Sequence, residues 1–228
     1  IEQEFNNVLK AIKEVISTYG LSYWIRLSLR DSNNKEKYLG DDSTWEKAES
    51  TLRKLLKENA VEHKEALGEA AFYGPKMDIM ATDSIGREWQ ISTIQLDLNM
   101  PVRFDLTYTD SDGQEKHPVM IHRALVGSPE RFMGILIEHY AGAFPVWLAP
   151  VQVQLLPVSD KHVELARTLV LELEEAGIRV ATDEADETIG NKVRKAAGQK
   201  VPYIVVVGDK ELGGEPWMIR VRGQNDQI

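Results

Sequence analysis

The 228-residue sequence contains no cysteine. A disulfide scaffold is therefore excluded, as is any zinc site built from thiolates of this chain alone. Long apolar runs are missing too. The longest is Tyr203 to Val207, far short of the ~20 residues that cross a bilayer, and no signal peptide is visible. A soluble, cytoplasmic protein without a membrane partner is expected. Positive charge is in the minority: 27 Lys and Arg stand against 36 Asp and Glu, a net charge of −9. That excludes a uniformly basic nucleic-acid coat, while leaving room for a local basic patch on an acidic body. What is present is ordinary for a globular chain, with 43% hydrophobic and 28% charged residues, which argues against disorder. At ~150 residues per domain the length gives one to two domains, enough chain to bury a core without disulfide or metal. The sequence opens at Ile1 inside what reads as helix and closes on the polar GQNDQI, so an internal piece of a longer protein is expected.

Spacings of three and four between Phe5, Val8, Leu9, Ile12, Val15 and Ile16 predict a helix over 2–18, stopped by Gly20. From 23 to 30, Tyr23, Ile25, Leu27 and Leu29 alternate with Trp24, Arg26, Ser28 and Arg30, the pattern of a half-buried strand. Trp45, Ala48, Leu52, Leu55 and Leu56 stripe a second helix over 44–59. Strands over 76–82 and 87–98 flank Asp83-Ser84-Ile85-Gly86, a spacer suited to a hairpin. Further strands over 106–108 and 118–125 surround a polar turn at 110–114. Ser128-Pro129 then opens a helix to about Tyr140, since Ser caps well and Pro is tolerated in a first turn. The prolines of FPVWLAP (144–150) mark a boundary. Beyond it strands (151–158, 178–182, 203–207, 217–221) alternate with helices (161–176, 188–197), as in a small α/β layer. An α/β protein of two domains, 1–146 and 147–228, is expected.

Several constellations suggest chemistry, and each has a plain structural alternative. Arg131 lies in the first turn of its helix, where the dipole prefers anions. Unless Glu130 or another carboxylate offsets it, guanidinium and free amides would jointly hold an anion such as phosphate; a surface arginine is equally compatible. His122 shares a strand face with Met120 and Ala124, a pattern more usual for a hydrogen-bonded core histidine than for a ligand. Thr93 and Gln95 share one face of their strand, and parity sends Gln90 to the other unless a bulge intervenes. Such amides and hydroxyls suit either a cleft for a small polar ligand or cross-strand bonding. Tyr73-Gly74-Pro75-Lys76 is a stiff turn presenting an aromatic and a cation. Gly190 to Gly208 carries Lys192, Arg194, Lys195 and Lys200 with no acid, a modest footprint for phosphates or simply a solvated helix face.

In order along the chain, AFYGPKMDI, GREWQISTIQLDL, PVRFDLTY, PVMIHRALVGSPERFMGILIEHYAGAFPVWLAPVQV, AGIRV and VPYIVVVGDKE closely resemble threonyl-tRNA synthetases, from about Phe5 to Arg222. HRALVGSPERF resembles motif 3 of class II synthetases, and the part after Ala149 resembles the anticodon-binding domain of the threonyl, prolyl, histidyl and glycyl enzymes. The resemblance implies an antiparallel class II catalytic sheet followed by a small α/β domain with a mixed sheet. It also implies ATP-dependent activation of threonine with Mg, transfer to tRNA(Thr), and a homodimer in the intact enzyme. Arg131 and Lys76 would be the catalytic cations, with Gln90 and Arg131 on ATP. Tyr73, Thr93, Gln95, Ala124 and Ser128 would line the threonine and adenylate pocket. His122 would be one of three protein ligands of a zinc ion that grips threonine, the others lying outside this chain. Asp186, Lys192, Arg194, Lys200, Glu211 and Arg220 would face the anticodon. Two positions depart from the pattern: Ile91 stands where the family commonly has cysteine, and Asp186 where asparagine would be expected. Motifs 1 and 2 would precede Ile1, so the stretch alone is expected to be inactive. The alternatives are a non-catalytic, synthetase-like tRNA-binding module and a paralogous ligase for another amino acid.

Overall fold

The structure, a computed structural model, describes residues 1–224; the last residues of the polar closing stretch, 225–228, lie outside them. The chain forms two compact units, Ile1–Leu136 and Ile137–Ile228. Among the described residues no helix is long and apolar enough to cross a membrane.

In the first unit, helix α1 (Glu2–Thr18) buries Phe5, Leu9, Ile12 and Ile16, with Val8 and Val15 half-buried at the margin of that seam. Strand β1 (Tyr23–Leu29) follows. Helix α2 (Asp42–Glu58) starts two residues before its apolar stripe suggests, because Asp41 accepts the Thr44 amide at 2.8 Å and caps it. Its Trp45, Ala48, Leu52, Leu55 and Leu56 are all buried; each leucine stabilises the fold by roughly 1.5–3 kcal/mol on burial. Strands β2 (His63–Leu67), β3 (Lys76–Thr82) and β4 (Glu88–Asp97) come next, then a short helix α3 (Met100–Arg103). Nothing in the alternation of residues 63–67 flags β2, which lies at a sheet edge and is largely exposed.

The strand expected at 106–108 is displaced. Instead β5 (Tyr108–Thr109) pairs with β6 (Glu115–Lys116) next to the turn, where the Lys116 ammonium binds both Asp110 and Asp112. Strand β7 (Met120–Ala124) leads to helix α4 (Pro129–His139). The main sheet has the order β2-β1-β3-β4-β7. All its pairings are antiparallel except β1 with β2. Helices α1 and α2 pack on β4, and Met77, Ile79, Ile94 and Leu96, each at most 1% exposed, complete the core.

The second unit holds β8 (Val153–Pro157), α5 (Val163–Glu175), β9 (Val180–Thr182), α6 (Ile189–Gly198), β10 (Tyr203–Val207), a short α7 (Asp209–Leu212) and β11 (Ile219–Val221). Its sheet, ordered β11-β10-β8-β9, is mixed: β8 runs parallel to β9 and β10, and β11 antiparallel to β10. Alternation along β8 splits the core in two. Leu155 packs with Ala166 of α5, and Leu156 with Ala196 of α6. The α/β class and the antiparallel-then-mixed sheets agree with expectation.

Candidate active site

The antiparallel registers align side chains into rows across β1, β3, β4 and β7. One row is Arg26, Asp78, Thr93 and Ala124; the next is Ser28, Lys76, Gln95 and His122. Residues two apart share a sheet face, so both rows face the same way. Strict parity would send Gln90 to the opposite side. The register shifts here, however: Ile79 pairs with Ser92 and Met80 with Gln90, leaving Ile91 as the extra residue of a bulge. Gln90 is thereby returned to the Thr93 face. Gln90 Nε2 and Thr93 Oγ1 both donate to Asp78 Oδ1, each at 2.9 Å. Asp78 Oδ2 accepts from Ser28 Oγ at 2.7 Å, Lys76 Nζ at 2.9 Å and Arg26 Nη2 at 3.1 Å. Ile91 itself is 1% exposed.

Tyr73 reaches the same face from the turn before β3. A Cβ on Gly74 would lie 2.0 Å from the Leu96 carbonyl oxygen, so only glycine lets this turn approach β4. The Tyr73 hydroxyl donates to Gln95 Oε1, and its ring centroid lies 5.1 Å from that of His122. Burial, and then the nearby Asp97 charge, pushes the Tyr73 phenol above its ordinary pKa and keeps it a donor. His122 Nε2 lies 2.9 Å from Oδ2 of the buried Asp97, whose Oδ1 accepts the Asn99 and Met100 amides.

At the start of α4, Ser128 Oγ donates to Glu130 Oε2 at 2.8 Å and accepts the Arg131 amide at 3.4 Å. Glu130's own amide and then Ser128 hold the Glu130 carboxyl below its usual range. A carboxylate thus already faces the amide end of this helix, so the dipole by itself does not call for a further anion. Arg131 is placed by something else. Its Nη2 donates to the Gln90 carbonyl at 2.8 Å, beside the bulge. The assembled face offers three cations (Arg26, Lys76 and Arg131), two amides, hydroxyls and an imidazole, a set able to orient a small polar ligand that carries anionic groups.

The residues expected in the second unit do not form one exposed patch. Lys192 is 4% exposed. It lies four residues before the buried Ala196, so its stem turns inward, and its ammonium binds the Pro157 carbonyl at 3.1 Å. Arg194 donates to Asn191 Oδ1 at 2.5 Å, and Lys195 pairs with Glu187 at 2.6 Å. Lys200 is exposed at the end of α6, at φ +60°. Asp186 is exposed on the loop before α6. Glu211 and Arg220 line one hollow with Val206 and Met218, and Glu211 Oε2 accepts the Gly208 amide at 2.9 Å.

Comparison with known proteins bears on the whole chain. Residues 1–140 match the model of the tRNA synthetase class II core domain (G, H, P, S and T), and 152–228 that of the anticodon-binding domain. The threonine–tRNA ligase of Halalkalibacterium halodurans is 48% identical over 228 residues, covering 99% of this chain and 35% of its own length. The chain belongs to the threonyl-tRNA synthetase family. Another member, from Desulforamulus reducens, is 49% identical over 226 residues, again across 35% of its length. The chain thus spans about a third of the curated synthetases it matches. The solved RNA-binding domain of threonyl-tRNA synthetase from Cryptosporidium parvum superposes with a TM-score of 0.91 at 34% identity, over 100% of this chain and 56% of that one.

Three residues of this candidate site escape a reading by pattern: Arg26, Asp78 and Asp97. The available signal was chemical. A lone carboxylate inside an apolar strand such as KMDIMAT, or closing one as in TIQLD, must find donors, and those donors mark a polar face.

Proposed function

We propose that residues 1–146 are the later part of the catalytic domain of a threonine–tRNA ligase and 147–228 its anticodon-binding domain. The intact enzyme activates threonine with ATP and Mg and transfers it to tRNA(Thr). The observation that carries this reading is the bulge at Ile91, which gathers Gln90 with Lys76, Thr93, Gln95 and His122 on one sheet face. In the proposed reaction a threonine carboxylate oxygen attacks the α-phosphorus of ATP and pyrophosphate leaves. The nucleophile is already an anion, so no general base is required. The protein's part is positioning and charge stabilisation. Arg131, steadied through one nitrogen on the Gln90 carbonyl, presents its remaining N–H groups to phosphate oxygens. The Lys76 ammonium offsets charge developing at the α-phosphate. Tyr73 and Gln95 hold each other as one wall of the amino-acid pocket, with Thr93, Ala124 and Ser128 around it.

His122 fits a role as a single zinc ligand. Asp97 takes Nε2, which leaves the lone pair of Nδ1 for a metal, the usual carboxylate–histidine arrangement. No group of three metal-ligating side chains occurs among the described residues, so the other ligands would come from outside this chain. A zinc ion held there would supply a Lewis-acid site that favours an amino acid with a side-chain hydroxyl, so that valine, which lacks one, would be rejected. In the second unit, Asp186, Arg194, Lys200, Glu211 and Arg220 are proposed to face the anticodon, while Lys192 supports α6 from inside. A cytoplasmic homodimer completes the reading. The test is amino-acid-dependent ATP–pyrophosphate exchange by the full-length natural protein with threonine, serine and valine. Exchange with threonine well above serine and none with valine is expected. A folded full-length protein that binds tRNA but shows no exchange would make it a binding module instead.

A further inference from the structure

Asp78 has no exposed surface, yet it receives five donors from β1, β3 and β4: Arg26, Ser28, Lys76, Gln90 and Thr93. A carboxylate offers about four lone-pair sites on its two oxygens. Five donors leave it no capacity to accept from a bound substrate, so any effect it has on one passes through the groups it holds. Those groups fall into two sets. Ser28 at 2.7 Å and Arg26 at 3.1 Å approach from β1 and fix the carboxylate in place. Lys76 and Thr93 are residues that the proposed reaction assigns to phosphate and threonine, and Gln90 is the one that the family resemblance sets on ATP. Arg26 is itself committed to this network. Its Nη2 also reaches Gln90 Oε1 at 3.2 Å, which fixes the orientation of that amide from both ends.

We infer that Asp78 is the positioning residue of this site, setting the Lys76 ammonium, the Gln90 amide and the Thr93 hydroxyl relative to one another. The inference rests on the reading proposed above. An asparagine at this position would turn an NH2 either toward Lys76 and Arg26 or toward Gln90 Nε2, nitrogens with no lone pair for it, leaving only the Ser28 or Thr93 hydroxyl able to rotate and accept. It would release ATP-facing and threonine-facing groups together. Loss of alignment at a reacting centre on the scale of ~1 Å costs about 10²-fold in rate.

The experiment is threonine-dependent ATP–pyrophosphate exchange by the full-length protein, expressed per active site titrated by adenylate formation, with melting temperatures measured in parallel. Asp78→Asn is expected to lower kcat about 10²-fold and to raise the KM for ATP and for threonine together. In a Lys76→Met background the same change is expected to cost less than about tenfold, because residues acting through one another are not additive. Fewer active sites with kcat and both KM values unchanged would mean a structural role only and would overturn the inference, as would full additivity. If Asp78→Asn does not fold, Ser28→Ala decides, since it removes one anchoring donor without touching a substrate-facing group. It is expected to lower kcat roughly three- to tenfold, and an unchanged kcat would refute the inference. Wild-type protein without exchange would fail the functional reading and the inference with it, whereas wild-type exchange with unaffected variants would fail the inference alone.

Discussion

Among the described residues only the first unit buries carboxylates completely, while its exposed acids, such as Asp42 and Asp112, are paired as those of the second unit are. In the first, Asp78, Asp83 and Asp97 have fully buried side chains, and each is held by several donors of the surrounding strands and turns. In the second, Glu184, Glu187 and Asp209 keep 37%, 32% and 74% of their side chains exposed while pairing with Arg167, Lys195 and Lys161. The Glu187 carboxyl is drawn down chiefly by Lys195 and the Asp209 carboxyl by Lys161, so these too are paired charges, but screened ones. A charge committed to a low-dielectric network defines geometry and resists rearrangement. A screened pair can exchange its partner for another at little cost, which suits the proposed role of this unit in meeting a polyanion.

The sharpest form of this contrast lies in two Asp–His pairs, Asp97 with His122 at 2.9 Å and Asp209 with His162 at 3.1 Å. In the full-length protein, Asp97→Asn is expected to weaken zinc about 10–100-fold, measured by chelator competition, because it unfixes the proposed ligand. Asp209→Asn is expected to leave zinc unchanged. Equal effects would erase the distinction.

A smaller effect separates two cations of α6, Arg194 and Lys192. Arg194→Ala is expected to weaken tRNA binding a few-fold and to reduce the slope of log K against log salt by about one, as for a single phosphate contact. Lys192→Met is expected to leave that slope alone and to lower the melting temperature, because its ammonium serves the Pro157 carbonyl. Filter binding across a salt series checks both. A slope that moves with Lys192 would place it on the RNA after all.

The smallest expected effect tests whether burial in the first unit commits a charge. Burial by itself raises the pKa of Asp83, but Trp89, Arg87 and the Arg87 and Ile85 amides donate to it and together hold it well below the usual carboxylate range. A depressed native pKa means that the unfolded chain takes up the proton first as pH falls. The contribution is therefore complete above the unfolded value of about 3.9 and is lost below it. The melting temperature of Asp83→Asn should lie a few degrees under wild type at pH 7, with the gap closing at pH 4 and below. A gap independent of pH would mean that the charge of Asp83 contributes nothing.

Much of this molecule follows from its sequence alone. The seam of Phe5, Leu9, Ile12 and Ile16, the stripe from Trp45 to Leu56, the hairpin at Asp83 to Gly86 and the strand–helix alternation after residue 150 are local periodicities. The physics that creates them acts over a few residues and leaves a visible pattern. The resemblance carried by AFYGPK, TIQLDL and HRALVGSPERF likewise pointed to the family.

Three things required the tertiary structure. Parity predicts that Gln90 and Thr93 part company, and only the pairing of β3 with β4 reveals the bulge that joins them. Asp78 and Asp97 read as ordinary strand residues until their donors arrive from strands and turns distant in sequence. Lys192 reads as one of four free cations until α6 docks and places it against the sheet. In each case the deciding interaction links residues far apart in the chain, and a carboxylate or ammonium carries no sequence mark of which partner will desolvate it.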